Sequence, residues 1–239
     1  MSTIYFFRHG QAGQRDDYDR LSELGREQAR LLGEHVAGWG ERFHLALTGG
    51  LRRQAETAEV ALERLAASGL APAETRVDPR WSEFDLDAVY NEIAPRMAAE
   101  DEEFRLEHEE VRRLVRAGDG HIHRRWTAAD SKVVKAWIAG RYEIKAESWQ
   151  EFAARVQEAG REFGELPEET KVAVFTSATP AAIWVAASFG SERPRHVMGL
   201  AGAAINANIT VLRWRDGEPQ LLSFNGVPHL GEARLRTFR

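Results

Sequence analysis

The sequence predicts an α/β fold: a three-layer α/β/α sandwich around a mostly parallel sheet. Three observations lead there. Short apolar runs rich in β-branched and aromatic residues recur at 3–7, 44–47 and 171–176, with the length and composition of buried strands. Each run is followed by a helix-period stretch, at 23–39, 51–67 and 181–189, and such alternation stacks strands and helices in successive layers. One long segment, about 86–147, breaks the pattern; it is highly charged and contains no strand-like run. Residues 1–239 are therefore expected to form one domain, with a helical cap inserted over one face of the sheet.

Taken in order, Thr3-Ile4-Tyr5-Phe6-Phe7 is the first strand, and it ends abruptly in Arg8-His9-Gly10. Residues 12–20 are polar, with Gly13, Asp16, Asp17 and Asp19, and make a loop at the ligand edge. Ser22 caps the first helix, and Leu24, Ala29, Leu31, Leu32 and Val36 supply its buried stripe. The second strand runs into Thr48-Gly49-Gly50. The following helix carries Arg52, Arg53 and Glu56 near its start, with Ala55, Ala58, Leu62 and Leu65 as its inner face. Residues 75–77 are a third strand, followed by the dense cluster Pro79-Arg80-Trp81-Ser82-Glu83-Phe84-Asp85.

Within the insertion, 98–117 reads as one exposed helix holding the acidic run Glu100-Asp101-Glu102-Glu103, and 126–139 as a shorter amphipathic one. A helix over 148–163 turns Phe152, Val156 and Phe163 inward. After the strand at 171–176, Ser177-Ala178-Thr179-Pro180 leads into an apolar helix that Thr179 caps and Pro180 opens. Residues 209–214 and 220–224 pair as a hairpin through Asp216-Gly217 at the sheet edge. The basic tail, 234–239, is expected to be loosely attached.

Composition narrows the function. A net charge of −5 and a pI near 6.0 argue against a nucleic-acid partner, so an anion site has to be built locally. With no cysteine, disulfides, thiolate metal sites and cysteine nucleophiles are excluded. No apolar run approaches the roughly 20 residues that span a bilayer, and a cytoplasmic location without membrane partners is expected.

The chemistry gathers at strand ends. In open α/β sheets ligands bind at the C-terminal edge of the strands. There the chain places Arg8-His9-Gly10, Arg52-Arg53 and Ser177-Ala178-Thr179-Pro180, with Glu83 in a fourth such segment. Two arginines, one histidine and one carboxylate suit phosphoryl transfer. The arginines would neutralise the phosphate, the histidine would attack phosphorus, and the carboxylic acid would protonate the leaving oxygen. Asp85 and Asp87 lie close to Glu83 and compete with it for that role. Arg52 reads as a salt-bridged neighbour, and His121 and His123 as a solvated surface of the insertion. His229 reads as structural.

Several of these segments together resemble the histidine phosphatase superfamily, in its phosphoglycerate-mutase-like branch. They are Arg8-His9-Gly10 after a strand, Leu21-Ser22-x-Leu24-Gly25-x-x-Gln28-Ala29, and Leu51-x-Arg53-x-x-x-Thr57-Ala58. Trp81-Ser82-Glu83-Phe84-Asp85, the strand up to Ser177, and Phe224-Asn225-x-x-Pro228-His229-Leu230 complete the likeness. The resemblance implies that His9 becomes a phosphohistidine, that Arg8 and Arg53 hold phosphoryl oxygens, and that Glu83 is the proton donor and later the base for water. It implies no metal and no cofactor. The expected partner is a small phosphorylated substrate, or a phosphate or sulfate ion.

One departure stands out. The family usually has Ser-His-Gly where this chain has Ser177-Ala178-Thr179, and alanine cannot contact a phosphoryl group. Losing one preorganised donor costs roughly 10²–10³ in rate. Because Thr179-Pro180 departs as well, natural divergence is the expected origin rather than a single engineered change. Ser177 and Gln11, with Arg15, Thr179 and a helix N-terminus, are the candidate substitutes for lost phosphate contacts. The sequence thus predicts a phosphomonoester hydrolase, possible pseudoenzyme status included. A non-catalytic phospho-ligand-binding or regulatory protein is the alternative, and a phosphoglycerate mutase a more distant one.

Overall fold

A computed structural model of the chain describes residues 1–13, 19–117 and 126–238. Its frame is a six-stranded sheet in the order β3-β2-β4-β1-β5-β6. The strands are β1 (Ser2–Arg8), β2 (Leu45–Thr48), β3 (Glu74–Val77), β4 (Lys171–Thr176), β5 (Ile209–Arg215) and β6 (Glu218–Gly226). The neighbours β3, β2, β4 and β1 run parallel, and β5 and β6 antiparallel, so the sheet is mixed with a parallel majority. The β5–β6 hairpin turns through Asp216 and Gly217, both at positive φ, as an Asp-Gly turn requires.

Alternation along β1 builds the layers. Phe7 faces one side, where it packs with Leu32 and Val36 of α1 (Glu23–Ala37), Ala58, Ala61 and Leu65 of α2 (Arg52–Ala67), and Phe175. Phe6 faces the other, against Trp81, which stacks on Phe163. Trp214 extends that second cluster to Trp184. Both faces of the central strand are therefore covered, as the three-layer expectation requires.

The contacts divide the chain into two units, one of residues 1–83 with 155–239 and one of residues 84–154. The second unit holds α3 (Leu86–Glu100), α4 (Glu102–Arg116), α5 (Ala128–Ile138) and the first turns of α6 (Trp149–Arg161). Its core is aromatic: Trp137 and Phe152 each contact both Phe84 and Trp149 and one another, at 4.6–6.1 Å between ring centroids. No described helix is long and apolar enough to cross a membrane.

Five sequence expectations are corrected. The single helix at 98–117 is two, because Asp101 leaves the helical conformation and caps α4 through the Phe104 N–H. The helix after β4, α7 (Ala178–Ala187), begins three residues early. Ser177 is its extended N-cap, so Thr179 does not cap it. Pro180 fits inside the first turn, where N–H groups have no intrahelical partner. An unforeseen helix, α8 (Pro194–Ala203), follows α7. On α2 the inner face is set by Gln54, Ala58, Ala61 and Leu65, and Ala55 points outward. The tail is docked rather than loose: Gln28 donates to the Leu235 carbonyl at 2.7 Å, and Asn206 N–H to that of Thr237 at 2.7 Å.

Gly10 and Gly25 hold the strand end against α1 by direct backbone contact. A Cβ on Gly25 would overlap the carbonyl of Gln11, and one on Gly10 the carbonyl of Gly25. Gly25→Ala is expected to cost about 1–3 kcal/mol through overpacking and to lower the melting temperature by several degrees in calorimetry.

Candidate active site

The register of the parallel strands assembles the site. Arg8 pairs with Thr176, and Thr48 with Phe175, so β1, β2 and β4 end side by side. His9 N–H continues the ladder to the Thr176 carbonyl at 2.9 Å, and Gly49 N–H to that of Phe175 at 3.0 Å. The chain then passes from β2 into α2 and from β4 directly into α7, which brings two helix N-termini to the edge that carries His9.

His9 is buried, and its two ring nitrogens have different partners. Nδ1 lies 2.7 Å from the Gly10 carbonyl, which can only accept, so Nδ1 carries the proton. Nε2 accepts from the Arg53 Nε–H at 3.3 Å, so it presents a lone pair. Burial, then the charges of Arg53 and Arg8, push the imidazole well below its ordinary pKa, against the opposing Gly10 hydrogen bond. With Nδ1 donating to Gly10, Nε2 is the nitrogen that carries the lone pair a nucleophile needs, and Arg53 donates to it here.

Side chains around it fix the backbone. Thr57 Oγ1 accepts from Gly10 N–H at 3.1 Å and donates to the Arg53 carbonyl at 2.7 Å. Gln28 Oε1 accepts from Gln11 N–H at 2.7 Å, and Asn206 Nδ2 donates to the His9 carbonyl at 3.3 Å.

The other expected site residues divide. Arg53 is buried; besides His9 it pairs with Asp19, Nη1 to Oδ1 at 2.8 Å. Arg8 is buried too, but its terminal nitrogens donate to the carbonyls of Ala204 and, at 2.8 Å, Phe238. Glu83 accepts the Thr179 N–H of the first turn of α7 at 3.1 Å. Its segment is pinned by Arg155, which donates to the Arg80 and Ser82 carbonyls, both at 2.9 Å. Ser177 Oγ accepts from Gln54 Nε2 at 2.8 Å. Gln11 is turned toward α1, its side-chain oxygen accepting from Ser22 Oγ at 2.9 Å.

Of the competing carboxylates, Asp85 is the cap of α3 through Ala88 N–H. Arg52 pairs with Glu56 at 2.8 Å. His229 stacks on His35 at 5.7 Å, with burial lowering its pKa to about 4. Gln14, Arg15, His121 and His123 lie outside the described residues.

Two residues escaped the sequence reading. Gln54, fully buried, links α2 to Ser177 and to the Trp81 carbonyl. Its signal was legible, since positions 54, 58, 61 and 65 share one helical face. Asp19 had none, because its partners on α2 are reached only through the fold.

The family model for the histidine phosphatase superfamily (branch 1) matches residues 4–121 and 116–226. A serine/threonine-protein phosphatase PGAM5, mitochondrial, from Xenopus laevis is 33% identical over 106 residues, 40% of this chain and 38% of that protein. The chain thus spans well under half the length of that relative. YhfR of Bacillus stearothermophilus has a TM-score of 0.64 at 18% identity, over 96% of this chain and all of that one. A phosphoserine phosphatase from Entamoeba histolytica, in complex with 3-phosphoglyceric acid, has a TM-score of 0.57 at 17% identity, over 96% and 100%. These two structures establish likeness of fold.

An ordinary histidine, with a pKa near 6.5, is mostly protonated at pH 6 and below. His9 is expected to stay neutral there, with its proton on Nδ1, in proton–nitrogen NMR spectra. Below about pH 6.5 the unfolded chain binds a proton at this residue that the folded one does not. Stability therefore falls as the pH is lowered through that point, and His9→Asn flattens the slope in denaturant titrations.

Proposed function

The chain belongs to the histidine phosphatase superfamily (branch 1), and from that membership we propose that it is a phosphomonoester hydrolase working through a phosphohistidine on His9. The observation that carries the reading is the neutral, Nδ1-protonated imidazole of His9, with Nε2 facing the guanidinium of Arg53 at 3.3 Å.

The chemistry follows from that arrangement. A phosphoryl oxygen takes the Arg53 donor that His9 now holds, which frees the Nε2 lone pair and presents phosphorus to it. Nε2 bonds to phosphorus as the ester P–O bond breaks, and protonated Glu83 gives its proton to the leaving alkoxide. Water then attacks phosphorus, Glu83 takes a proton from it, the N–P bond breaks, and inorganic phosphate leaves with His9 neutral again. Arg8 contributes mainly its field, since its terminal nitrogens already hold the Ala204 and Phe238 carbonyls. Gln54 orients the Ser177 hydroxyl at the start of α7. Small phosphorylated molecules are the substrate class, in keeping with the 3-phosphoglyceric acid of the Entamoeba structure.

A second reading, phospho-ligand binding without turnover, is favoured by one observation: α7 opens on Ala178, whose side chain offers no donor, at the position where the sequence resemblance implies a histidine. The wild-type chain is expected to hydrolyse p-nitrophenyl phosphate slowly and to form acid-labile phosphohistidine, both lost in His9→Ala. Ala178→His is expected to raise kcat/KM by about 10²- to 10³-fold. Phosphate binding with no turnover across a broad pH range would transfer the assignment to the second reading.

A further inference from the structure

We propose that Asp19 is a built-in competitor for the anion site, and that it sets the affinity with which a phosphoryl group is held. The inference rests on the phosphate-site reading above and goes beyond it.

The Asp19 carboxylate is placed as a bound anion would be. Oδ1 accepts from Arg53 Nη1 at 2.8 Å, and Oδ2 from the backbone N–H of Arg52 at 3.1 Å, at the start of α2. One oxygen on a guanidinium and one on a helix N-terminal amide are contacts that two phosphoryl oxygens would make. The flanking chain holds Asp19 there. Leu21 N–H donates to Glu56 Oε2 at 2.9 Å, Gly13 N–H to the Arg20 carbonyl at 2.7 Å, and Ala12 bridges Leu21. Glu56 meanwhile pairs with Arg52 and Arg26, which leaves Arg53 to Asp19.

The two partners are unequal. The Arg53 side chain is 9% exposed and that of Asp19 is 51% exposed. A buried guanidinium is costly without an anion, and Asp19 supplies one to Arg53. A half-exposed carboxylate is screened and gains little from pairing. It can rotate into water when a phosphoryl group of higher charge arrives, while the buried Arg53 stays in place. Asp19 thereby weakens ground-state binding and favours release of the phosphate product.

Calorimetric titration of the full chain with inorganic phosphate tests this. Asp19→Asn and Asp19→Ser are expected to bind phosphate about three- to tenfold more tightly than wild type. In an Arg53→Met background the gain is expected to shrink, because only the Arg52 N–H is then contested, and a gain as large as with Arg53 present would overturn the inference. Unchanged or weaker binding in both Asp19 variants, where wild type binds phosphate, would overturn the inference alone and make Asp19 a clamp that positions Arg53. Absence of phosphate binding in wild type and variants alike would overturn the phosphate-site reading and this inference with it.

Discussion

The central strand β1 pairs along its whole length, parallel to β4 on one side and antiparallel to β5 on the other. Its register cannot slip by one residue without exchanging Phe6 and Phe7 between two filled cores. That constraint fixes where the strand ends, and the strand's end is the site. His9 N–H is still held by the Thr176 carbonyl, so the imidazole starts from a backbone that the whole sheet immobilises. Gly10 then turns away against Gly25, and Thr57 and Gln28 take the N–H groups of Gly10 and Gln11. An imidazole placed this way is preorganised by the backbone that carries it.

Burial of positive charge is the second theme. Arg8, His9 and Arg53 all lie in the interior at one sheet edge. Three cations there would repel and be poorly solvated, and the fold resolves this in three different ways. The pKa of His9 is pushed well down, with burial as the leading cause. Arg8 has its terminal nitrogens on backbone carbonyls of α8's end and of the tail. Arg53 draws on the Asp19 carboxylate. Docking of the tail is thus part of the electrostatics of the site, because Phe238 supplies an acceptor to Arg8.

The start of α7 is held by backbone groups and by side chains other than that of Ala178. Ser177 remains in the extended N-cap conformation, and the first-turn Thr179 N–H is directed at Glu83. Arg155 and the buried Thr176 hydroxyl hold the segment before Glu83 through the Arg80, Ser82 and Trp81 carbonyls. Backbone geometry of this kind survives side-chain replacement at position 178, since none of these contacts uses that side chain. The frame at the start of α7 is thus built without any contact from the Ala178 side chain.

By itself the sequence determined the layer architecture, the strands that carry Arg8-His9 and Ser177, and the helix start that carries Arg53. Short apolar runs and period-3.6 apolar patterns are local properties of the chain, and the folded core preserved them. The Asp-Gly hairpin was legible for the same reason, because its turn chemistry is local. Only the tertiary structure decided that Arg8 serves two carbonyls, that Gln54 reaches Ser177, that the basic tail is docked, and that α7 starts at Ala178. It alone brought Asp19 to Arg53. Each of these depends on which atom a polar side chain or backbone group meets across long stretches of sequence, and such meetings follow from register and packing, which no local pattern encodes.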